Sequence, residues 1–172
     1  VKEEDAVSSL DDFIETLDQP TVDGFNTYFI SRFTKKLGFK VALSGLGGDE
    51  LFGGYPSFKR MKIMNHYLNI KKNVISNKSL ESIIPNRLIE KKNSRLIDMI
   101  NAKNLFESYI AIRGIFSKKE ASDIVKKLSG KTVDNFAKEF YEHKSINSTT
   151  RDLELNNYLK NQLLRDSDIF GM

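Results

Sequence analysis

Apolar positions recur with helical spacing along much of the chain. Residues 6–17 and 23–37 each carry apolar side chains three or four positions apart, which is the period of one face of an α-helix. Pro20 limits the first segment, because the residue before a proline disfavours helical geometry. Gly38 stands where a helix commonly ends. The pattern therefore predicts two helices separated by a turn.

Helical patterns also dominate the second half of the sequence. Residues 117–120, Ser-Lys-Lys-Glu, form a capping-box pattern that opens a predicted helix ending near Leu128. Further helical stripes cover residues 133–141 and 150–164, whereas residues 66–104 give no clear pattern. We expect helices joined by short polar loops.

One segment is different. Residues 39–43, Phe-Lys-Val-Ala-Leu, are short, largely apolar and closely followed by glycine, which is typical of a buried parallel strand. A lone strand has two unpaired edges, and an isolated sheet needs about three strands to persist. We therefore expect a mainly α chain with one or two short strands, the remnant of a larger parallel α/β sheet. The open edge leaves a homodimer as one arrangement.

The composition is that of a globular protein. The chain has 172 residues, of which 40% are hydrophobic and 29% charged, enough for one domain with a real core. The formal net charge is +4, but the basic residues are scattered pairs, which favours solvated helix faces over a nucleic-acid surface.

Cysteine is absent, which excludes disulfides and thiolate metal sites and fits a reducing compartment. The sequence shows neither a signal peptide nor an apolar run of about 20 residues that could cross a bilayer. We expect a cytoplasmic protein without membrane or nucleic-acid partners, and both ends of the sequence look cut.

The glycine-rich stretch carries the candidate chemistry. After the predicted strand come Ser44, Gly45, Leu46, Gly47 and Gly48, in a strand–loop–helix order that presents backbone N–H groups to an anion. Glycine suits such a loop because it lets a ligand approach the backbone and adopts positive φ at little cost.

Two acids follow directly. Asp49, and less clearly Glu50, would repel a phosphate unless a divalent cation lay between them, so they are candidate magnesium ligands. Equally, Asp49 can simply cap a short helix that Gly53 and Gly54 end. The standard GxxxxGK[ST] and GxGxxG nucleotide fingerprints do not fit this stretch.

The stretch VALSGLGGDELFGGY resembles the second nucleotide-site motif of the asparagine synthetase family, the synthetase part of class II glutamine-dependent amidotransferases. PTVDGFNTYFISRFTKKLGFKVALSG and NNYLKNQLLRDSDIFGM resemble flanking segments of that family. The resemblance implies an ATP-pyrophosphatase fold, in which ATP and magnesium activate aspartate as an acyl-adenylate. Ammonia from a separate glutaminase domain then displaces AMP.

The resemblance also implies roles for individual residues. Ser44 and Gly45 would lie against AMP, Gly47 and Gly48 would allow close approach of the backbone, and Asp49 would hold magnesium pyrophosphate. Leu46 completes this cofactor-binding set, and no catalytic side chain is assigned.

Three positions depart from the family pattern, and two others join the site less directly. Leu46 stands where an acid is common, Gln19 where glutamate is usual, and Gly171 where serine is usual. The acyl substrate can therefore differ from aspartate. Arg165 and Asp168 would belong to the closing wall of the site.

The sequence lacks other parts of the family apparatus. It has no Ser-Gly-Gly-x-Asp-Ser loop, no N-terminal cysteine nucleophile and no Glu-x-Arg-x-Pro-Phe segment, so we expect no turnover by this chain alone. Two alternatives stay open. One is a β-lactam or peptide-cyclising synthetase, and the other is a non-catalytic helical interaction module.

The remaining polar residues suggest ordinary roles. His66 and His143 are the only histidines, and because they lie far apart in sequence, without the carboxylate spacing of a metal or catalytic site, they are interpreted as surface or boundary residues. Lys59, Arg60 and Lys62 could neutralise phosphate, but their segment has the spacing of an amphipathic helix with a solvated face.

Overall fold

The computed structural model describes residues 3–74, 94–131 and 142–171. In chain order the elements are α1 (Glu3–Val7), α2 (Leu10–Thr16), α3 (Gly24–Lys36), α4 (Gly48–Phe52), α5 (Pro56–Val74), α6 (Ser94–Asn101), α7 (Leu105–Arg113), α8 (Lys118–Ser129), α9 (Ile146–Leu153), the π-helix (Glu154–Leu163) and α10 (Leu164–Gly171). The prediction of a mainly α chain is confirmed. No strand occurs among the described residues.

The chain forms two compact units. The first, which we call the glycine-turn unit, comprises the chain up to Phe52 together with the chain from Glu154 onward. The second, the helical unit, is Gly53–Leu153. The candidate ligand-binding residues 44–49 all belong to the glycine-turn unit.

Helices α3 and α10 pack together in the glycine-turn unit. The ring of Phe13 lies at their junction, 5.2 Å from the ring of Phe25 and 5.3 Å from that of Phe170 between centroids. Arg32 on α3 forms an ion pair with Asp12 on α2, and this hydrogen bond raises the pKa of the guanidinium. Aromatic contacts and one ion pair thus hold α2 and α10 to α3.

The first predicted helices are confirmed in part. The segment 6–17 is divided into α1 and α2, and the hydroxyls of Ser8 and Ser9 donate to the backbone oxygen of Asp5 at 3.1 and 2.7 Å. Such local bonds compete with helix continuation. The segment 23–37 forms α3 as predicted, and Gly38 follows it with φ +83°.

The predicted buried strand at residues 39–43 is wrong for this chain. Phe39, Val41 and Leu43 are 64%, 80% and 100% exposed, and the segment makes no strand pairing. A strand persists only when a neighbour accepts and donates its backbone hydrogen bonds. The described residues supply no such neighbour, so the apolar segment stays extended on the surface.

The helical unit has a continuous apolar core. Its buried members are Met61, Met64, Leu68, Ala102, Leu105, Phe106, Tyr109, Ile112 and Leu153. Leu105 and Phe106, which the sequence suggests as core by their apolar character, are buried at 3% and 5% exposure. At the edge of this core the hydroxyl of Tyr67 donates to the backbone oxygen of Ile100 at 3.0 Å, and burial raises the pKa of Tyr67.

Helix ends in this unit follow the sequence signals. Ser117 accepts a hydrogen bond from the backbone N–H of Glu120, whose carboxylate accepts from the N–H of Ser117, so the predicted capping box is confirmed. Gly130 ends α8 with φ +67°. The predicted helix at residues 133–141 lies outside the described residues.

Residues 150–164 are helical, as predicted, but they do not form one regular α-helix. The segment begins within α9, continues as the π-helix and enters α10. A π-helix of this length is rare, and no sequence signal used above distinguishes it from α-helix. Among the described residues, no helix is both long and apolar enough to cross a membrane.

Candidate functional site

The glycine turn, residues 44–48, joins the exposed segment 39–43 to α4. Its conformation depends on Gly47, which is buried and has φ +91°. The N–H of Gly48 donates to the oxygen of Gly45 at 3.2 Å, and the N–H of Leu51 donates to the oxygen of Gly47 at 3.0 Å. The chain therefore reverses within the turn and enters α4 directly, and positive φ makes glycine the favoured residue at position 47.

The outer side of the turn is open. Within the part of the chain that the structure describes, a Cβ atom built on Gly45 or Gly48 would have no neighbour within 4 Å, and Ser44 is exposed. Only the inner side is supported, because a Cβ on Gly47 would lie 3.7 Å from the side chain of Leu159 in the π-helix. Among the described residues, no protein atom therefore crowds the side-chain positions of Gly45 and Gly48.

The two adjacent acids have opposite environments. Asp49 is exposed, whereas Glu50 is 1% exposed. The predicted metal ligand Asp49 thus presents its carboxylate to solvent beside the open turn, while burial of Glu50 indicates a structural role. Gly53, with φ +77°, follows α4 as predicted.

Magnesium at the glycine turn stays a prediction of the sequence, and Asp49 is the exposed carboxylate there that could take part in it. Magnesium commonly takes one or two protein carboxylates and fills its other positions with phosphate oxygens and water. In residues 3–74, 94–131 and 142–171, no three His, Cys, Asp or Glu side chains gather as a metal cage. A single exposed carboxylate at Asp49 suits the shared mode of binding.

Leu46 brings an apolar side chain to the turn. It is 41% exposed, and it lies between two glycines that contribute no side chain. The surface beside the open backbone is therefore apolar at this position and charged at Asp49.

The two residues predicted for the closing wall are placed differently. Asp168 is exposed on α10. Arg165 forms ion pairs with Asp18 and Asp166. When the amide oxygen of Gln19 faces the guanidinium, it accepts hydrogen bonds from Arg165 Nε and Nη1 at 2.7 Å each. Arg165 therefore binds protein acceptors in the turn before α3.

The sequence interpretation missed one polar contact. His143 Nε2 lies within hydrogen-bond distance of an Asp152 carboxylate oxygen, and the N–H of His143 donates to Thr149 Oγ1 at 2.9 Å. These groups fix the approach to α9, in the helical unit. The nine-residue separation gave no signal, because only the turn before α9 brings the two side chains together. His66 is exposed, as are Lys59, Arg60 and Lys62.

Comparison with known proteins gives one family. The family model described as asparagine synthase matches residues 1–172. A probable glutamine-hydrolyzing asparagine synthetase of Dictyostelium discoideum is 39% identical over 64 residues, covering 37% of this chain and 12% of that protein. Glutamine-hydrolyzing asparagine synthetase 3 of Arabidopsis thaliana is 42% identical over 57 residues, covering 33% of this chain and 10% of that protein.

The aligned segment thus spans about a tenth of the length of these relatives. No solved structure matches the chain. The family model, by contrast, extends over every residue of the sequence. On this match the chain belongs to the asparagine synthase family.

Proposed function

We propose that this chain is part of the synthetase domain of an ATP-dependent, glutamine-hydrolysing amidotransferase that makes asparagine. Membership of the asparagine synthase family supports the assignment, and the curated relatives carry the name glutamine-hydrolyzing asparagine synthetase. The observation that carries the site assignment is the open glycine turn followed by exposed Asp49.

In this proposal the aspartate side-chain carboxylate attacks the α-phosphorus of ATP, and pyrophosphate leaves. Ammonia derived from glutamine then attacks the activated carbonyl carbon, so that the C–N bond of the amide forms and AMP leaves. Bound magnesium would neutralise charge on the pyrophosphate. The open backbone at Gly45 and Gly48 lets the nucleotide approach closely, Ser44 lies beside it, and Asp49 supplies the protein carboxylate for magnesium.

The remaining parts of the catalytic apparatus belong to other segments of the protein. The sequence contains no Ser-Gly-Gly-x-Asp-Ser loop to bind pyrophosphate, and its apolar segment 39–43 is exposed. In the larger protein this segment would join a parallel sheet of α/β type, covered on both faces. The chain by itself is expected to be inactive.

Leu46 supports a second candidate, a synthetase that makes a different amide. A charged group of the acyl substrate placed against an apolar side chain loses hydration without gaining a partner. The side chain is 41% exposed at the open face of the turn. An acyl substrate whose groups beside Leu46 carry no charge, as in a lactam-forming reaction, would fit that surface.

The test is acid-dependent release of AMP and pyrophosphate by the full-length protein, supplied with ATP, magnesium and ammonia. Aspartate is compared with glutamate, β-alanine derivatives and uncharged acyl amino acids. The proposal predicts release with aspartate and none from the isolated chain. Release only with another acid would establish the second candidate. If none of the acids gives release, an interaction module would be favoured. Turnover by the isolated chain would contradict its dependence on other segments.

A further inference from the structure

A buried carboxylate joins α10 to the start of α3. Asp166 is 1% exposed, and its Oδ2 accepts a hydrogen bond from Thr21 Oγ1 at 2.5 Å. The same Thr21 oxygen accepts from the N–H of Gly24, the first residue of α3, at 3.0 Å. A buried carboxylate is costly unless it is hydrogen-bonded and paired, so this chain of bonds fixes the beginning of α3 to α10.

Arg165 adds a second connection at the same place. Its Nη1 lies 3.3 Å from Asp166 Oδ1, its Nη2 pairs with Asp18, and Gln19 accepts from Nε and Nη1. The planar guanidinium has donors on several edges, and protein acceptors take donors on each of them here. Arg165 therefore links α10 to the turn before α3.

The two helices are closely packed at this junction. A Cβ atom on Gly24 would lie 2.6 Å from Phe170 Cε2, so α3 and α10 approach as closely as a glycine permits. Phe170 also packs against Phe13 and Tyr28. In such a tightly packed interior a shift of one element moves its neighbour.

The junction is connected to the glycine turn through the π-helix. The π-helix, which continues directly into α10, supports Gly47 through Leu159. Thr21, Arg165 and Asp166 lie at the α10 end of this connection.

We propose that Thr21, Gln19, Arg165 and Asp166 form a latch that positions the glycine turn for magnesium-bound ATP. These are positioning residues, since their polar groups contact one another and the turn before α3. The inference rests on the proposed function, because it assigns ATP to the turn.

The experiment uses Thr21→Val and Thr21→Ser in the full-length protein. Valine keeps the shape of threonine but removes the donor to Asp166, whereas serine keeps it. Exchange of radiolabelled pyrophosphate into ATP is measured against magnesium-ATP concentration. The latch predicts that Thr21→Val raises KM about tenfold, as expected for losing one hydrogen bond to a charged group. We expect kcat to change less, and Thr21→Ser to stay within about twofold of wild type.

The matched control is Ile112→Val, which thins the core of the helical unit away from the latch. It lowers the melting temperature by a modest amount and should leave KM unchanged. Equal KM values for wild type and Thr21→Val, or an equal rise in Ile112→Val, would overturn the latch. Either result would leave the proposed function intact.

Hydrogen exchange of the Gly48 and Leu51 amides, which donate to backbone oxygens of the turn, gives a readout that does not need activity. The latch predicts exchange about tenfold faster at these amides in Thr21→Val than in Thr21→Ser, because the turn loses its anchor. Unchanged exchange overturns the latch even if the wild-type protein shows no pyrophosphate exchange. Such an inactive wild-type protein would count against the proposed function alone.

Discussion

The two units of the chain treat their apolar side chains in opposite ways. In the helical unit, described residues such as Met61, Leu105 and Tyr109 are at most 3% exposed and share one core. In the glycine-turn unit, Val41, Leu43 and many other large apolar residues between Val7 and Phe52 face solvent. The helical unit has a buried core of its own, although side chains such as Ile63 and Leu128 are exposed, whereas the glycine-turn unit carries the turn next to exposed apolar residues.

The difference in burial indicates which part of the chain depends on contacts with other segments of the protein. Burial of apolar side chains is the main favourable term in folding, and the described helical unit obtains it internally. The glycine-turn unit relies on aromatic contacts around Phe13 and on the buried Asp166 network. Its surface at residues 39–43 is consistent with the proposed covering by other segments of a synthetase domain.

Truncation of a core leucine and of a surface leucine should give the largest difference in the free energy of unfolding between the two units. Leu105→Ala should lower the free energy of unfolding by about 2–5 kcal/mol, because it leaves a cavity in the core. Leu43→Ala should change it by less than about 0.5 kcal/mol in the isolated chain, because the side chain is already in water. Urea denaturation measures both variants.

The same leucine in the full-length protein sharpens that result. If other segments cover residues 39–43, Leu43→Ala should cost about 2 kcal/mol or more there. A negligible effect in both proteins would show that this surface stays exposed.

Alanine at two glycines of the turn separates backbone geometry from ligand approach. Gly47→Ala should cost about 1 kcal/mol or more of stability, because it forces alanine to positive φ. Gly45→Ala has open space and no positive φ, so stability should change by less than about 0.5 kcal/mol. Weaker binding of magnesium-ATP by Gly45→Ala in the full-length protein, measured by calorimetry, is the expected outcome. Unaltered affinity would place the nucleotide elsewhere.

Loss of the capping box is a smaller perturbation confined to the helical unit. Ser117→Ala should lower the free energy of unfolding by about 1 kcal/mol, and Ser117→Thr, which keeps the hydroxyl, should lower it less. Affinity for magnesium-ATP should be the same in both variants. A matching loss of affinity would mean that the two units do not respond independently.

The pH dependence of the cap gives the smallest effect. The side-chain hydrogen bond from Ser117 lowers the pKa of Glu120 from its ordinary value of 4.5. A group with a lowered folded pKa contributes stability that is complete above the unfolded value and is lost as pH falls through the folded value. The melting temperature is therefore measured between about pH 6 and about pH 3, on either side of the ordinary carboxyl pKa. It should fall less steeply with decreasing pH in Ser117→Ala than in wild type.

Local signals predicted the features that depend on local physics. The Ser117 capping box, the positive φ of Gly38 and the end of α4 at Gly53 follow from short-range hydrogen bonding and glycine geometry. The burial of Leu105 followed from its apolar character and helical spacing. These features need only a few neighbouring residues to form.

The features that sequence reasoning missed depend on distant partners. Residues 39–43 have the composition of a strand, but pairing requires a second segment, which the described residues do not contain. The contacts of Arg165 with Asp18 and Gln19 connect opposite ends of the chain, and no local pattern predicts them. The opposite burial of Asp49 and Glu50 likewise required the packing of α4.

The role of Asp49 is tested most directly by the magnesium dependence of pyrophosphate exchange in the full-length protein. Asp49→Asn keeps the size and hydrogen-bonding capacity of the side chain but removes the charge that binds the ion. We expect half-maximal activity to need about tenfold more magnesium, as a loss of about 1.4 kcal/mol of binding free energy gives, while Asp123→Asn, at an exposed acid of α8, behaves as wild type. An Asp49→Asn enzyme with wild-type magnesium dependence would contradict the account.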